Sequence, residues 1–221
     1  MRHFEERLNE LRLRLLEMGG LVESAVHLSV QALIEANVEL ARRVLSNEPR
    51  INELEIQNDD LATGLLALEQ PVASDLRFIT AAIKINSNLE RMGDKAANIA
   101  ERSIALASEP AVTSLVDVAR LGRLVEPMVH QALDAFVRRD SALARNVLTD
   151  DDAVDDMRNH ISAEVIQHLE EEPRSARPWL DLLFVSRSLE RIGDHATNIA
   201  EDVVFMVEGV DLRHGHAVPV R

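Results

Sequence analysis

Apolar side chains recur at intervals of three and four residues along almost the whole chain, for example at Ile85, Leu89, Met92, Ala96 and Ile99. This period places apolar residues on one face of an α-helix, and no alternating pattern of apolar and polar residues indicates a strand. The pattern therefore predicts six helices, over approximately 4–45, 49–69, 73–107, 114–148, 151–170 and 178–208.

Polar clusters and prolines mark the predicted breaks between these helices. Residues 46–49 end in Pro49, which is typical of an early helical position, and the acidic run 149–152 suits the first turn of a helix. Pro71 and Pro173 each end one helix and precede the next, because proline lacks a backbone N–H.

The chain contains the same unit twice. Residues 89–101 read LERMGDKAANIAE and residues 189–201 read LERIGDHATNIAE, so only three of thirteen positions differ at an offset of 100. Earlier segments match at an offset of 103, which places a three-residue length difference in the hairpin between the second and third helices. The sequence thus predicts an all-α fold of two tandem three-helix bundles, 1–110 and 111–210, followed by a disordered tail at 211–221.

Composition narrows the possible functions. Among the 221 residues, 46% are hydrophobic but only 3% are aromatic, which suits helix packing. The formal net charge of −14 argues against nucleic acid and anionic lipid as partners. The chain has no cysteine, so disulfides and thiolate metal sites are excluded. No apolar stretch is long enough for a membrane span, and we expect a cytoplasmic protein.

Acidic side chains form a stripe on the third helix of each unit. On a helical wheel, four oxygen-bearing residues of each helix share one narrow face, turned away from the apolar face. They are Glu90, Asp94, Asn98 and Glu101 in the first unit, and Glu190, Asp194, Asn198 and Glu201 in the second. The second helix adds Glu48, Asn52, Glu55 and Asp59, with Asp151 and Asp155 at the positions matching Glu48 and Asn52.

The stripes allow more than one interpretation. Like charges four residues apart destabilise a helix, so a repeated stripe favours a bound divalent or iron-type cation. Alternatively, the stripes are solvated faces, or Arg91 and Arg191 neutralise them in salt bridges. No common catalytic motif occurs, which argues against an enzyme. A metal-dependent carboxylate-cluster enzyme and a metal-free structural module both remain as alternatives.

The paired L-E-R-[IM]-G-D-x-A-x-N-I-A-E signature, preceded by MGGLVESAVHLSVQAL, closely resembles the PhoU family of bacterial phosphate-transport regulators. The resemblance implies a non-enzymatic cytoplasmic protein, commonly a homodimer, that represses the phosphate-starvation regulon and restrains uptake. It also implies two partners, the ATPase subunit of the phosphate ABC transporter and the sensor histidine kinase of the phosphate regulon. The protein would lie at the inner membrane only through these partners.

The resemblance further implies iron, zinc or another divalent ion on E(D)-x-x-x-D motifs. Carried over by position, the ligands are Glu90, Asp94, Glu190 and Asp194. Glu55 and Asp59 add a second motif in the first unit, whereas Arg158 and Ser162 stand at those positions in the second. We therefore expect the two sites to differ, and Lys95, where the second unit has His195, is a further asymmetry.

Overall fold

The structure is a computed structural model that describes residues 2–69, 71–109, 115–172, 176–212 and 218–219. Six helices account for most of these residues. They are α1 (Arg2–Ile34), α2 (Val38–Glu69), α3 (Ala73–Leu106), α4 (Leu115–Arg138), α5 (Ser141–Glu171) and α6 (Ala176–Glu208). The prediction of an all-α fold with two three-helix repeats is confirmed, with α1–α3 in the first repeat and α4–α6 in the second.

The first helix of each repeat ends about ten residues earlier than the sequence pattern predicted. Ala36 and Arg139 adopt left-handed backbone conformations, with φ of 49° and 53°. The next residue then caps the following helix: Asn37 Oδ1 accepts from the N–H of Leu40 at 3.2 Å, and Asp140 Oδ1 accepts from that of Leu143 at 3.0 Å. These turns lack glycine and proline, which is why the predicted breaks at 46–49 and 149–152 were wrong.

Proline 49 lies inside α2 instead of at its start. A proline within a helix costs about 3 kcal/mol, because it removes a hydrogen bond and its ring crowds the preceding turn. Val44 and Ile51 are buried on either side of it, at 2% and 1% exposure. Burial of apolar side chains before and after the proline offsets that cost and keeps the helix continuous.

The two repeats pack around a pseudo-two-fold axis between α1 and α4. A Cβ on Gly19 of α1 would lie 2.9 Å from Leu133 of α4, and one on Gly122 of α4 would lie 2.7 Å from Val30 of α1. Each glycine thus admits a side chain of the opposite repeat, and the two contacts match at the offset of 103. Helix α1 continues through Gly19 without a break.

Helices α3 and α6 make the most extensive contact between any two elements. The buried apolar side chains of all six helices form one cluster, so the two repeats share a single hydrophobic core. The predicted three-residue length difference falls between the second and third helices, where residues 70 and 173–175 lie outside the described residues.

Part of the predicted disordered tail is described. The strands β1 (Val210–Asp211) and β2 (Val218–Pro219) pair antiparallel, with Val210 opposite Pro219. Residues 213–217 and 220–221 of the predicted tail lie outside the described residues, as does the predicted junction of the repeats near 110. None of the helices described is both long and apolar enough to cross a membrane.

Candidate functional site

The acidic stripe of α3 lies beside α2, and Gly93 determines how close the two helices come. A Cβ on Gly93 would lie 3.2 Å from Cδ1 and 3.3 Å from Cγ2 of Ile51, so the absence of a side chain lets α2 pack tightly there. Gly193 lies at the matching position of the second repeat, where the approach is looser, because a Cβ there would lie at an ordinary 3.4 Å from Cγ1 of Val154. Carboxylates of the second and third helices consequently meet in both repeats.

In the first repeat this packing brings together four predicted residues, which we call the first acidic cluster: Glu55, Asp59, Glu90 and Asp94. Asn86 of α3 ties the helices together, because its Nδ2 donates to Asp59 Oδ1 at 3.0 Å and to the backbone oxygen of Glu55 at 2.9 Å. Asn86 is buried, at 1% exposure. Asp59 is therefore held at the junction between α2 and α3.

The charges of the first acidic cluster repel each other. Burial, followed by the charges of Asp59 and Asp94, raises the pKa of Glu55 above its ordinary value. Burial, followed by the charges of Asp94 and Glu55, does the same to the pKa of Glu90. Arg91 partly opposes both shifts. In the absence of a cation, burial and the neighbouring charges thus make Glu55 and Glu90 harder to ionise.

A buried amide oxygen adds to the cation-binding character of the first acidic cluster. Asn52 lies on the same face of α2 as Glu55, one turn earlier, and its Oδ1 is buried with no hydrogen-bond donor. An orphaned buried acceptor is costly, and amide oxygens are ordinary ligands of hard cations. Oxygen donors of this kind are the type that divalent and iron-type ions prefer, although no three carboxylates of the first acidic cluster bring ligand atoms within 4.8 Å of one another.

The second repeat brings together Asp151, Asp155, Glu190 and Asp194, which we call the second acidic cluster. Burial, followed by the charges of Asp155, Asp152 and Glu190, raises the pKa of Asp151. Burial and the charge of Glu190 raise the pKa of Asp194. The side chains of Glu190 and Asp194 are 16% and 33% exposed, so this cluster is also half-buried.

Two arginines partly neutralise the second acidic cluster. Arg158, at the position of Glu55, donates from Nη2 to Glu190 Oε1 at 3.4 Å. Arg191 donates from Nη1 to Asp194 Oδ2 at 3.2 Å. Arg91 is the counterpart of Arg191 in the first repeat. Within the described residues Arg91 forms no ion pair within 4 Å, although the charge of Arg91 acts on the first acidic cluster. Arginines therefore form ion pairs with carboxylates of the second acidic cluster, and among the described residues they form none with those of the first.

Four predicted stripe residues do not belong to either cluster. Asn98 and Asn198 are exposed one turn beyond the aspartates, Glu101 is exposed, and Glu201 is half-buried. Asn98 instead lines a separate groove, described below. The predicted four-residue stripe thus contributes only its first two members to each acidic cluster.

A third group of ligand-type side chains was not found from the sequence. Asp117 of α4 and His160 and Glu164 of α5 place one ligand atom each within 4.8 Å of one another, and no other described residues form such a group of three. The only sequence signal is the H-x-x-x-E spacing on α5. The matching positions of the first repeat are Arg14, Gln57 and Leu61, and Arg14 Nη1 donates to Gln57 Oε1 at 3.1 Å.

The histidines that follow Glu23 and Glu126 connect the two repeats. His27 Nδ1 lies 3.0 Å from Glu126 Oε2, and His130 Nδ1 lies 2.7 Å from Glu23 Oε1. Each pair joins α1 to α4 across the pseudo-two-fold axis. The histidines act as contacts between helices, and each binds the glutamate of the opposite repeat instead of the one on its own helix.

Comparison with known proteins agrees with the duplicated architecture. The family model described as "PhoU domain" matches residues 15–103 and 118–203. A "Phosphate-specific transport system accessory protein PhoU homolog" of Pseudomonas aeruginosa is 42% identical, covering 96% of this chain and 88% of that protein. A protein with the same description from Aquifex aeolicus is 38% identical, covering 98% and 97%.

Solved structures give the same result. A crystal structure of PhoU from Pseudomonas aeruginosa has a TM-score of 0.91 at 42% identity, covering 93% of this chain and 99% of that one. A structure of the phosphate transport system regulatory protein PhoU from Streptococcus pneumoniae has a TM-score of 0.86 at 28% identity, covering 94% and 98%. On the repeated domain match and these relatives, the chain belongs to the PhoU family.

Proposed function

We propose that this chain is a non-enzymatic accessory protein of phosphate-specific transport, which restrains phosphate uptake and represses the phosphate-starvation response. The observation that supports this most is the match over 96% of the chain to a relative described as an accessory protein of that system. The chain covers 88% of that relative, so the similarity includes both repeats.

The proposed mode of action is bridging. One partner is the ATPase subunit of the phosphate ABC transporter, and the other is the sensor histidine kinase of the phosphate regulon. A body made of two pseudo-symmetric repeats presents two related but chemically different surfaces, which suits an adaptor with two partners. In this proposal the protein works by occupying binding surfaces and lies at the inner membrane through its partners.

The acidic clusters are proposed as metal sites that stabilise this body. In the first repeat, Glu55, Asp59, Glu90 and Asp94 would hold iron, zinc or another divalent ion, together with Asn52. Burial and the charges of neighbouring carboxylates raise the pKa of both Glu55 and Glu90, and a bound cation would offset this cost of ionisation. In the second repeat, Asp151, Asp155, Glu190 and Asp194 would bind more weakly, because Arg158 and Arg191 already supply positive charge.

A binding experiment with purified components tests the adaptor proposal. The chain should retain both the ATPase subunit and the kinase at micromolar concentration. The Glu90→Gln/Asp94→Asn variant reports whether the first acidic cluster contributes. The matched control is Asp156→Asn/Glu170→Gln, which removes the same charge from exposed positions of α5. Retention of neither partner by the unaltered chain would refute the adaptor function, whatever its metal content.

Elemental analysis tests the metal sites separately. Protein purified without a histidine tag should carry metal, and Glu90→Gln/Asp94→Asn should lose most of it. Glu190→Gln/Asp194→Asn should lose less, and His160→Ala tests the Asp117 group. Metal content near zero in unaltered protein, even after incubation with iron or zinc salts, would refute the metal sites and leave the adaptor proposal standing.

The proposed form in solution is a homodimer, as the family resemblance implies. Light scattering coupled to size-exclusion chromatography should then give about twice the chain mass of 24.6 kDa. A mass equal to that of one chain at micromolar concentration would refute the dimer.

A further inference from the structure

A small groove between α3 and α6 has the opposite charge from the rest of the molecule. It has a volume of about 250 Å³. We call it the basic groove, and its lining residues are Lys95, Asn98, Arg102, Phe184, Arg187, Ser188 and Arg191. Four of these seven residues are cationic and none is acidic, in a chain whose formal net charge is −14. A concentration of positive charge on an acidic protein needs a specific explanation.

The internal repeat provides a reference for this groove. At the offset of 100, its residues correspond to His195, Asn198, Asp202, Lys84, Ser87, Asn88 and Arg91. The geometry of the two places agrees, because Arg102 contacts the ring of Phe184 at 4.9 Å and their counterparts, Asp202 and Lys84, also contact each other. The two places therefore differ in chemistry and not in backbone arrangement.

The polar groups of the counterpart satisfy each other. Lys84 Nζ lies 3.0 Å from Asp202 Oδ1, and His195 Nδ1 lies 3.0 Å from Asn88 Oδ1. The counterpart contains two cations, Lys84 and Arg91, and one carboxylate, Asp202, which is paired with Lys84. The lining of the basic groove, by contrast, contains no carboxylate, and only two of its four cations pair with described carboxylates outside it.

Two cations of the basic groove have no anionic partner. Arg102 donates to Asp181 Oδ1 at 2.7 Å, and Arg191 donates to Asp194 Oδ2 at 3.2 Å. Lys95 of α3 and Arg187 of α6, by contrast, form no hydrogen bond or ion pair with any described residue. The two uncommitted cations come from different repeats and line the same groove, beside the exposed amide of Asn98.

From this arrangement we propose that the basic groove is a binding site for phosphate, with Lys95 and Arg187 as its direct ligands. A guanidinium presents paired N–H donors that match two oxygens of a tetrahedral oxyanion, and an ammonium adds a compact charge. The Asn98 amide oxygen can accept the proton of hydrogen phosphate, which sulfate lacks. The groove is smaller than ordinary pockets for drug-sized ligands, about 300–1,000 Å³, so inorganic phosphate fits better than a whole nucleotide.

The proposed ligands of this site are separate from partner docking and from the carboxylates of the acidic clusters, although Arg191 lines the groove and also pairs with Asp194. The ligand carries the charge opposite to that of the proposed metals, and it contacts Lys95, Asn98 and Arg187, none of which belongs to an acidic cluster. If Lys95 and Arg187 hold phosphate, the bound anion links the signature segment of the first repeat to helix α6 of the second.

Calorimetric titration of the metal-free full chain with sodium phosphate at low ionic strength tests the proposal. Phosphate should bind more tightly than sulfate, and Arg187→Gln should weaken phosphate binding at least about tenfold, since it removes a bidentate charged contact. Lys95→Gln should also weaken it. The matched control is Arg120→Gln, which removes an exposed arginine of α4 that does not line the groove and should leave phosphate binding unchanged.

A phosphate monoester serves as a second probe, because it separates a free anion from the phosphate group of a larger molecule. Tighter binding of inorganic phosphate supports the proposal, and tighter binding of the monoester overturns inorganic phosphate as the occupant. Absence of phosphate binding, equal binding of sulfate, or equal weakening by Arg120→Gln overturns it as well. Thermal unfolding of each variant shows that a loss of binding is not a loss of fold, since Arg187 is exposed.

Discussion

The two acidic clusters have the same backbone framework but compensate their charge differently. In the first, Glu55 faces Glu90 and Asp94, and no arginine pairs with any of them among the described residues. In the second, Arg158 replaces Glu55 and lies 3.4 Å from Glu190, and Arg191 lies 3.2 Å from Asp194. Among the described residues, the second cluster therefore has positive charge at ion-pair distance from its carboxylates, and the first does not.

The comparison shows that an internal repeat preserves packing more faithfully than chemistry. The glycines at 93 and 193, the tight turns at 36 and 139, and the crossing of α1 and α4 agree between repeats. Some of the charged positions beside them differ, since Arg158 stands at the position of Glu55 and His195 at that of Lys95. Substitutions at the positions that differ test how much each one contributes to stability and to metal binding.

The signature contains Lys95 in the first repeat and His195 at the matching position of the second. His195 is 9% exposed, and burial together with the charges of Arg91, Lys95 and Arg191 lowers its pKa from 6.5 to about 4. Because the unfolded chain binds the proton more readily, His195 reduces stability as the pH falls from 6.5 to about 4. His195→Gln should remove this loss, on the order of 1–3 kcal/mol.

Urea unfolding of metal-free protein at pH 7.5 and pH 4.5 measures this effect. The acidic clusters act in the opposite direction, since their raised pKa values make folding more favourable as the pH falls, but they contribute equally to parent and variant. Replacement of the exposed His3 with glutamine is the control. An identical difference between His195→Gln and parent at both pH values would contradict the prediction.

Arg158→Glu should give the second acidic cluster a carboxylate at the position that Glu55 holds in the first, while Ser162 still stands at the position of Asp59. The change removes the ion pair with Glu190 and places a like charge there, so metal-free protein should lose about 1–2 kcal/mol of stability. Added zinc or manganese should then raise the unfolding temperature more in the variant than in the parent. The reciprocal Glu55→Arg should stabilise metal-free protein and weaken its response to metal.

Neutralising one glutamate in each cluster should have effects of opposite sign. Glu90→Gln removes repulsion from Asp94 and Glu55, so metal-free protein should gain a few tenths of a kcal/mol. Glu190→Gln removes the ion-pair partner of Arg158, so the metal-free variant should be less stable than the parent by about 0.2–1 kcal/mol. Urea unfolding in the presence of a chelator measures both, and effects of equal sign would show that the arginines do not distinguish the clusters.

Alanine at the two signature glycines should have unequal effects. Alanine is favoured over glycine within a helix by about 1 kcal/mol. At Gly193 the new Cβ meets Val154 at an ordinary 3.4 Å, so Gly193→Ala should be neutral or stabilising. At Gly93 the new Cβ meets the buried side chain of Ile51 at 3.2 and 3.3 Å. The Gly93→Ala variant should therefore be less stable than the Gly193→Ala variant by about 0.5 kcal/mol or more. Thermal unfolding of the two variants measures the difference.

The sequence was sufficient to predict the six helices, their duplication and the residues that begin each stripe. Helical periodicity is a local signal, and Glu90 and Asp94 lie on one face whatever surrounds them. The turns at Ala36 and Arg139 were missed, because ordinary residues there adopt a left-handed conformation that the flanking helices enforce. Pro49 misled the prediction, because its local cost is outweighed by burial that only the tertiary structure determines.

Groups that form between helices were harder to predict. The basic groove joins residues 95–102 to 184–191, and nothing in either segment indicates that α3 and α6 are neighbours. The Asp117 group likewise depends on the packing of α4 against α5. The ion pair between Arg158 and Glu190 could be suspected from the position that Arg158 shares with Glu55, but its geometry requires the side-chain arrangement.

The tight turns at Asn37 and Asp140 have a further consequence for the acidic clusters. Each residue caps the second helix of its repeat directly after the first helix has ended, so the connection is short and its conformation is fixed. One residue added after the cap would rotate the rest of that helix by about 100° relative to its cap. Glu55 or Arg158 would then point away from the third helix. The length of a turn almost twenty residues away thus determines which side chains of the second helix face the third helix in each cluster.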